Sequence, residues 1–225
     1  MTKAERPHRS QKGLWDDTIL CETCEACFAP IDDYAVKNLH ERRVEATPFG
    51  QNGSVYLGRN GGPLALSLPW IDSERIALFA LFVLWRAGVS SREECKPVRL
   101  GPFLERIRAT LDASALSNAN GVHVTLWWER NPNITSVVIL PYRSTIGGVH
   151  FWNFWCGGYY FVIQTDSRPN VFLGSPNLLG SKRSAFAIST SLLDRKEGIQ
   201  MARVMKESRQ LYGDPWKGRW SPRSV

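Results

Sequence analysis

The sequence predicts an α+β fold, with an N-terminal cysteine knuckle and helices packed on an antiparallel sheet. Three observations carry this. Cysteines cluster in Cys21-Glu22-Thr23-Cys24-Glu25-Ala26-Cys27, in a chain of 225 residues with only two others, Cys95 and Cys156. A capped and almost wholly apolar segment, Arg75 to Ala87, has the length and pattern of a buried helix. From Gly121 onward the apolar residues alternate, and the character becomes that of strands. The chain divides into a basic lead-in and cysteine knuckle with a short helix (1–45), an α+β body (46–212) and a basic tail (213–225).

Residues 1–18 are polar and rich in Lys, Arg and Ser, and Leu20 to Pro30 carries the cysteines in a turn-like knuckle. Asp32-Asp33 then precedes Tyr34, Val36 and Leu39, an acidic first turn followed by a short amphipathic helix. Gly50-Gln51-Asn52-Gly53 interrupts the loosely alternating stretch Val44 to Leu57, and its Asn-Gly is a hairpin signal. Gly58 to Pro63 is a glycine-rich loop. Asp72-Ser73-Glu74 caps the helix Arg75–Ala87, with Gly88 at the position that closes it. A second helix begins near Pro102, since proline is tolerated in a first turn. Its apolar stripe is Phe103, Leu104, Ile107 and Leu111, and Glu105 stands three residues before Arg108.

In the second half, Val122, Val124 and Leu126 alternate with His123 and Thr125, and Val137 to Leu140 is an apolar run. Phe151–Trp155 and Tyr159–Ile163 read as aromatic strands joined across Cys156-Gly157-Gly158. The result is a meander of about four antiparallel strands. A last helix is expected through Ile199, Ala202, Val204, Met205 and Leu211.

The net charge of +7 makes a polyanionic partner plausible, although charge alone governs solubility as readily as it marks a groove. The first residues carry no apolar core or small-residue cleavage site of a secretory signal. The longest apolar run, Ile76 to Trp85, is about half of a membrane span. Five cysteines, an odd number with three clustered at one end, do not resemble a disulfide framework, so a cytoplasmic, reducing environment and no membrane contact are expected.

Structural zinc wants four ligands, and a C-x2-C turn brings two thiolates to one ion. Cys21, Cys24 and Cys27 are therefore candidate zinc ligands, with no second C-x2-C pair downstream. An iron–sulfur cluster fits less well, because the fourth cysteine and following proline of the ferredoxin run are absent. Nothing matches a phosphate loop, dinucleotide fingerprint, nucleophile elbow or kinase set.

Gly13-Leu14-Trp15-Asp16-Asp17-Thr18-Ile19-Leu20-Cys21-Glu22-Thr23-Cys24-Glu25, followed by Asp32-Asp33-Tyr34, resembles an uncharacterised bacterial protein group similar to HNH-type treble-clef proteins. Leu84-Trp85-Arg86-Ala87-Gly88-Val89-Ser90 and Leu100-Gly101-Pro102 extend the resemblance, which covers roughly residues 10–110. It implies a zinc module that binds nucleic acid or a protein partner. It also implies an alternative, a metal-dependent nuclease whose site is truncated here or completed by a partner chain. Longer members carry an upstream cysteine pair and a histidine segment that have no counterpart after Met1. If nothing precedes Met1, the nuclease lacks its general base.

The four histidines are scattered, and a lone strand histidine is more often structural than catalytic. Asp32-Asp33 is explained by helix capping, and Glu93-Glu94 by solvation. Trp127, Trp128 and the aromatics of 151–161 alternate between two sheet faces. One face packs the core, and the other, beside Arg130, Arg143 and Arg168, could stack unpaired bases or meet a protein. Lys3, Arg6, Arg9 and Lys12 in the lead-in, and Trp216, Lys217, Arg219 and Trp220 in the tail, are further candidate contacts for nucleic acid or a partner. The expected function is that of a noncatalytic binding protein.

Overall fold

The computed structural model describes residues 16, 19–41, 55–56, 65–112, 122–129, 138–165, 168, 178 and 184–190. Its centre is helix α2, Ser73–Val89. Asp72 caps it by accepting the N–H groups of Glu74 and Arg75. Ile76, Ala77, Phe79, Ala80, Leu81, Phe82, Leu84 and Ala87 are all buried, the near-continuous burial that its apolar sequence demands.

The helix does not end at Gly88. It continues to Val89 and is capped at Ser90, so Gly88 lies within its last turn. A Cβ at that position would stand 2.5 Å from Cδ1 of the buried Leu100. The glycine is there for close packing of the following segment, not for a left-handed turn. That segment passes through a 3-10 turn, Glu93–Cys95, and enters helix α3, Phe103–Asp112, directly after Pro102. Ile107 and Leu111 are buried on the expected stripe, and Arg108 bridges Glu105 and Asp112 on the outer side.

Strands β1 (Val55–Tyr56), β2 (Ala65–Asp72), β3 (Val122–Glu129), β4 (Ile139–Ile146), β5 (Val149–Cys156), β6 (Tyr159–Thr165) and β7 (Ser184–Thr190) form one sheet of order β1-β2-β7-β3-β6-β5-β4. Strands β3, β6, β5 and β4 are antiparallel as expected, but only β4, β5 and β6 follow one another as a meander, since β3 pairs with β6 and not with β4, and the sheet is larger. β2 and β7 extend it, and β7 runs parallel to β3. Pro69 masked β2 in the sequence and lies where its register against β7 breaks. In β7, the small residues Ser184, Ala185 and Ala187 conceal the strand signal. The β5–β6 turn holds Gly157 and Gly158 at φ 60° and 82°, the double positive φ of a tight hairpin.

Alternation splits the aromatics between the two sheet faces, and both are buried. Phe154 stacks on its cross-strand partner Phe161 at 4.6 Å toward the α2 core. On the other face Trp155 stacks on Tyr160 at 4.6 Å, in a second cluster with Val149, Phe151 and Val162. An exposed base-stacking platform on these strands is therefore not what this sheet provides. Among the described residues no helix is long and apolar enough to cross a membrane. The expected hairpin at 50–53, the loop from Gly58 to Pro63 and the helix around 199–211 lie outside the described residues.

Candidate functional site at the start of α1

Helix α1, Glu22–Ala35, followed by a π-helical turn at Val36–Glu41, begins earlier than the sequence indicated. The cysteines occupy its first turns, so the segment Leu20 to Pro30 is not a turn-like knuckle. Two forces favour helix here despite Pro30. Glu22 and Glu25 complement the positive end of the helix. Phe28, Ile31, Tyr34, Ala35 and Leu39 form a stripe packed on the core. Phe28 stacks on Phe82 at 4.1 Å. The Tyr34 hydroxyl accepts the Asp72 N–H at 2.7 Å and donates to the Trp70 carbonyl at 3.5 Å. These contacts fix the helix that presents the thiols.

Cys21 is the N-cap, in extended conformation with φ −76° and ψ 162°. Its sulfur accepts the backbone N–H of Cys24 at 3.4 Å, and its carbonyl accepts the N–H of Glu25 at 2.9 Å. Cys21, Cys24 and Cys27 are all exposed free thiols. The hydrogen bond from the Cys24 backbone, aided by that from its thiol, lowers the pKa of Cys21. The same thiol contact raises that of Cys24, together with the charge of Cys21. The two sulfurs thus differ in acidity, with Cys21 the better thiolate.

Zinc ligation fits this arrangement in part. Cys21 and Cys24 are close enough to act as a pair, and Cys27 follows a turn later. Among the described residues no group of three or more His, Cys, Asp or Glu side chains converges. The histidines on β3 and β5, His123 and His150, belong to the sheet, and His150 bonds Thr145 at 3.0 Å.

Beside the start of α1 lies a cleft of about 250 Å³, lined by Leu20, Glu25, Arg86, Ser90, Glu94 and Leu140 among others. Its walls are apolar at Ile19, Leu20, Val83, Ala87, Leu140 and Pro141, and several of its polar residues engage one another or a neighbour. Ser90 donates to Asp16 at 2.5 Å, and Arg92 pairs with Glu94 at 3.6 Å. Arg86 donates to Asp32 at 3.1 Å and lies 4.0 Å over the Phe82 ring. Asp32 is therefore not a helix-capping residue, since α1 starts ahead of it. Glu93 pairs with Lys96, and Glu94 is exposed at the mouth of the cleft, so both are solvated as expected. Burial raises the Asp32 pKa, with the Arg86 charge opposing. Cys156, whose thiol burial pushes up, also feels the Asp32 charge, while burial lifts Tyr159 to about 12.

Of the other sequence candidates, Arg143 is exposed on β4, opposite Trp152. Lys3, Arg6, Arg9, Lys12, Arg130, Trp216, Lys217, Arg219 and Trp220 lie outside the described residues. The cleft residues escaped sequence reasoning because their partners are remote, Asp16 and Ser90 being 74 positions apart. No protein-family model, curated protein or solved structure matches the chain.

Proposed function

We propose that this chain is a noncatalytic binding protein, related to HNH-type zinc modules, that docks through the start of α1. Cys21 and Cys24 would supply two thiolates of a zinc site, and a partner chain would supply the remaining ligands. The observation that carries this reading is the adjacent, exposed Cys21–Cys24 pair on a helix clamped to the core. Zinc bound there would cross-link two surfaces, as closed thiolate sites do.

The local charge favours a protein partner over nucleic acid. Glu22 and Glu25 stand beside the thiols, and Asp112 is near enough to raise the Cys24 pKa. Carboxylates repel phosphates, which disfavours a nucleic-acid backbone directly beside the thiols. A nuclease needs a base beside its metal, and His123 and His150 stand on the sheet instead.

The test is sedimentation of the metal-free full chain with and without zinc, beside a titration of a mixed-sequence oligonucleotide. Zinc should drive association that Cys24→Ser abolishes, and the oligonucleotide should bind no differently in wild type and variant. Oligonucleotide binding that falls steeply with salt and is lost in Cys24→Ser would transfer the site to nucleic acid.

A further inference from the structure

We propose that Cys21 and Cys24 form a thiol–disulfide exchange site whose substrate is a disulfide of low molecular weight. The sequence placed these cysteines in a turn, where they would be ligands and nothing more. The structure puts them at a helix start, in a relationship of a different kind. The extended backbone of the N-cap carries the Cys21 sulfur back over the first turn, where it meets the Cys24 N–H at 3.4 Å. Residues three apart at a helix start are separated by about 5 Å between Cα atoms. A disulfide bridges Cα separations of roughly 4.4–6.8 Å, so the pair can close without moving the helix.

Both sulfurs are open to solvent, as exchange with a free disulfide requires, whereas Cys95 and Cys156 are half-buried. Cys27 is also exposed, but it lies a further turn along and makes no bond to the Cys21 sulfur. The helix itself is fixed by Arg86–Asp32 and by Tyr34 against the β2–α2 junction, so the pair is presented from a rigid base.

The Cys21 sulfur, as thiolate, attacks one sulfur of the disulfide, forming a mixed disulfide as the original S–S bond breaks and one thiolate leaves. Cys24 gives its proton to solvent and attacks the Cys21 sulfur, closing the Cys21–Cys24 bond and expelling the second thiolate. The protein loses two electrons, and the substrate disulfide gains them as two thiols. No metal takes part, so the proposal does not rest on the zinc reading and can fail or succeed independently of it.

The test uses chelator-treated, reduced full-length protein exposed to oxidised glutathione, quenched with acid and alkylated. Proteolysis after Glu22 and Glu25 separates Cys21, Cys24 and Cys27 onto different peptides. Wild type should yield a Cys21–Cys24 bridge with no retained glutathione, reversed by dithiothreitol. Cys24→Ser should stall with one glutathione held on Cys21, and Cys27→Ser should behave as wild type. A persistent glutathione adduct on the wild type, a bridge from Cys24 to Cys27, or thiols that stay reduced would each overturn the proposal. Circular dichroism of each variant, matching wild type, ties these outcomes to exchange and not to unfolding.

Discussion

Arg86 on α2 reaches across 54 positions of sequence to donate to Asp32 on α1 at 3.1 Å, while its guanidinium rests 4.0 Å over the Phe82 ring. One residue thus holds the thiol-bearing helix to the centre of the core by charge and by stacking. Cation–π contact of this kind contributes roughly 0.5–2 kcal/mol, depending on desolvation.

The pair has a pH signature. Burial of Asp32 outweighs the attraction of Arg86, so its folded pKa is raised above the ordinary 3.8. A carboxyl with a raised folded pKa binds its proton more tightly in the native state. Its contribution is therefore full below the unfolded pKa and lost as pH rises through the folded value. Asp32→Asn keeps an oxygen for Arg86 and removes the ionisation. Wild type should accordingly gain stability relative to Asp32→Asn as pH falls from 7 toward 4, measured by thermal unfolding at each pH. A difference that is flat, or that grows the other way, contradicts the assignment.

Tyr34→Phe removes the hydroxyl that accepts the Asp72 N–H at the start of α2. The bond lies at an exposed position, so its loss should cost about 0.5–1.5 kcal/mol. Denaturant melts should show this loss with an unchanged m-value. A change below about 0.3 kcal/mol would mean that the hydroxyl does not tie α1 to α2.

Alanine normally improves a helix over glycine by about 1 kcal/mol, yet Gly88→Ala should destabilise this one. Its methyl would meet Leu100 Cδ1 at 2.5 Å, and Leu104 Cδ1 at 3.4 Å. Overpacking of that kind costs roughly 1–3 kcal/mol. Leu100→Ala made together with Gly88→Ala should recover part of the loss, giving a coupling that a double-mutant cycle reads directly. Additive effects would show that the close approach does not set the choice of glycine.

What could be read in the sequence was local. The N-terminal cap and apolar run of α2, the stripe of α3 after Pro102 and the aromatic hairpin across Gly157-Gly158 depend on neighbours within a turn or two, and they appear as expected, whereas the closing position at Gly88 does not. α1 was obscured because Pro30 and three cysteines look like a turn, while the packing of Phe28, Ile31 and Tyr34 that makes it helical is tertiary. β2 and β7 were missed because Pro69 and a run of small residues weaken strand patterning, and their pairing with each other spans most of the chain. The Cys21–Cys24 pair was visible as a spacing. That it stands at a helix start, with Cys21 as the cap, was not.

The most direct measurement is the zinc content of untagged full-length protein purified without chelators, set beside Cys24→Ser and paired with thermal melts of both. The account predicts zinc at a fixed ratio to chain in the wild type, near-complete loss in Cys24→Ser, and a lowered melting temperature on removal of the metal. Metal-free wild type, with a melting temperature unchanged by the substitution, would contradict the binding role assigned to the start of α1.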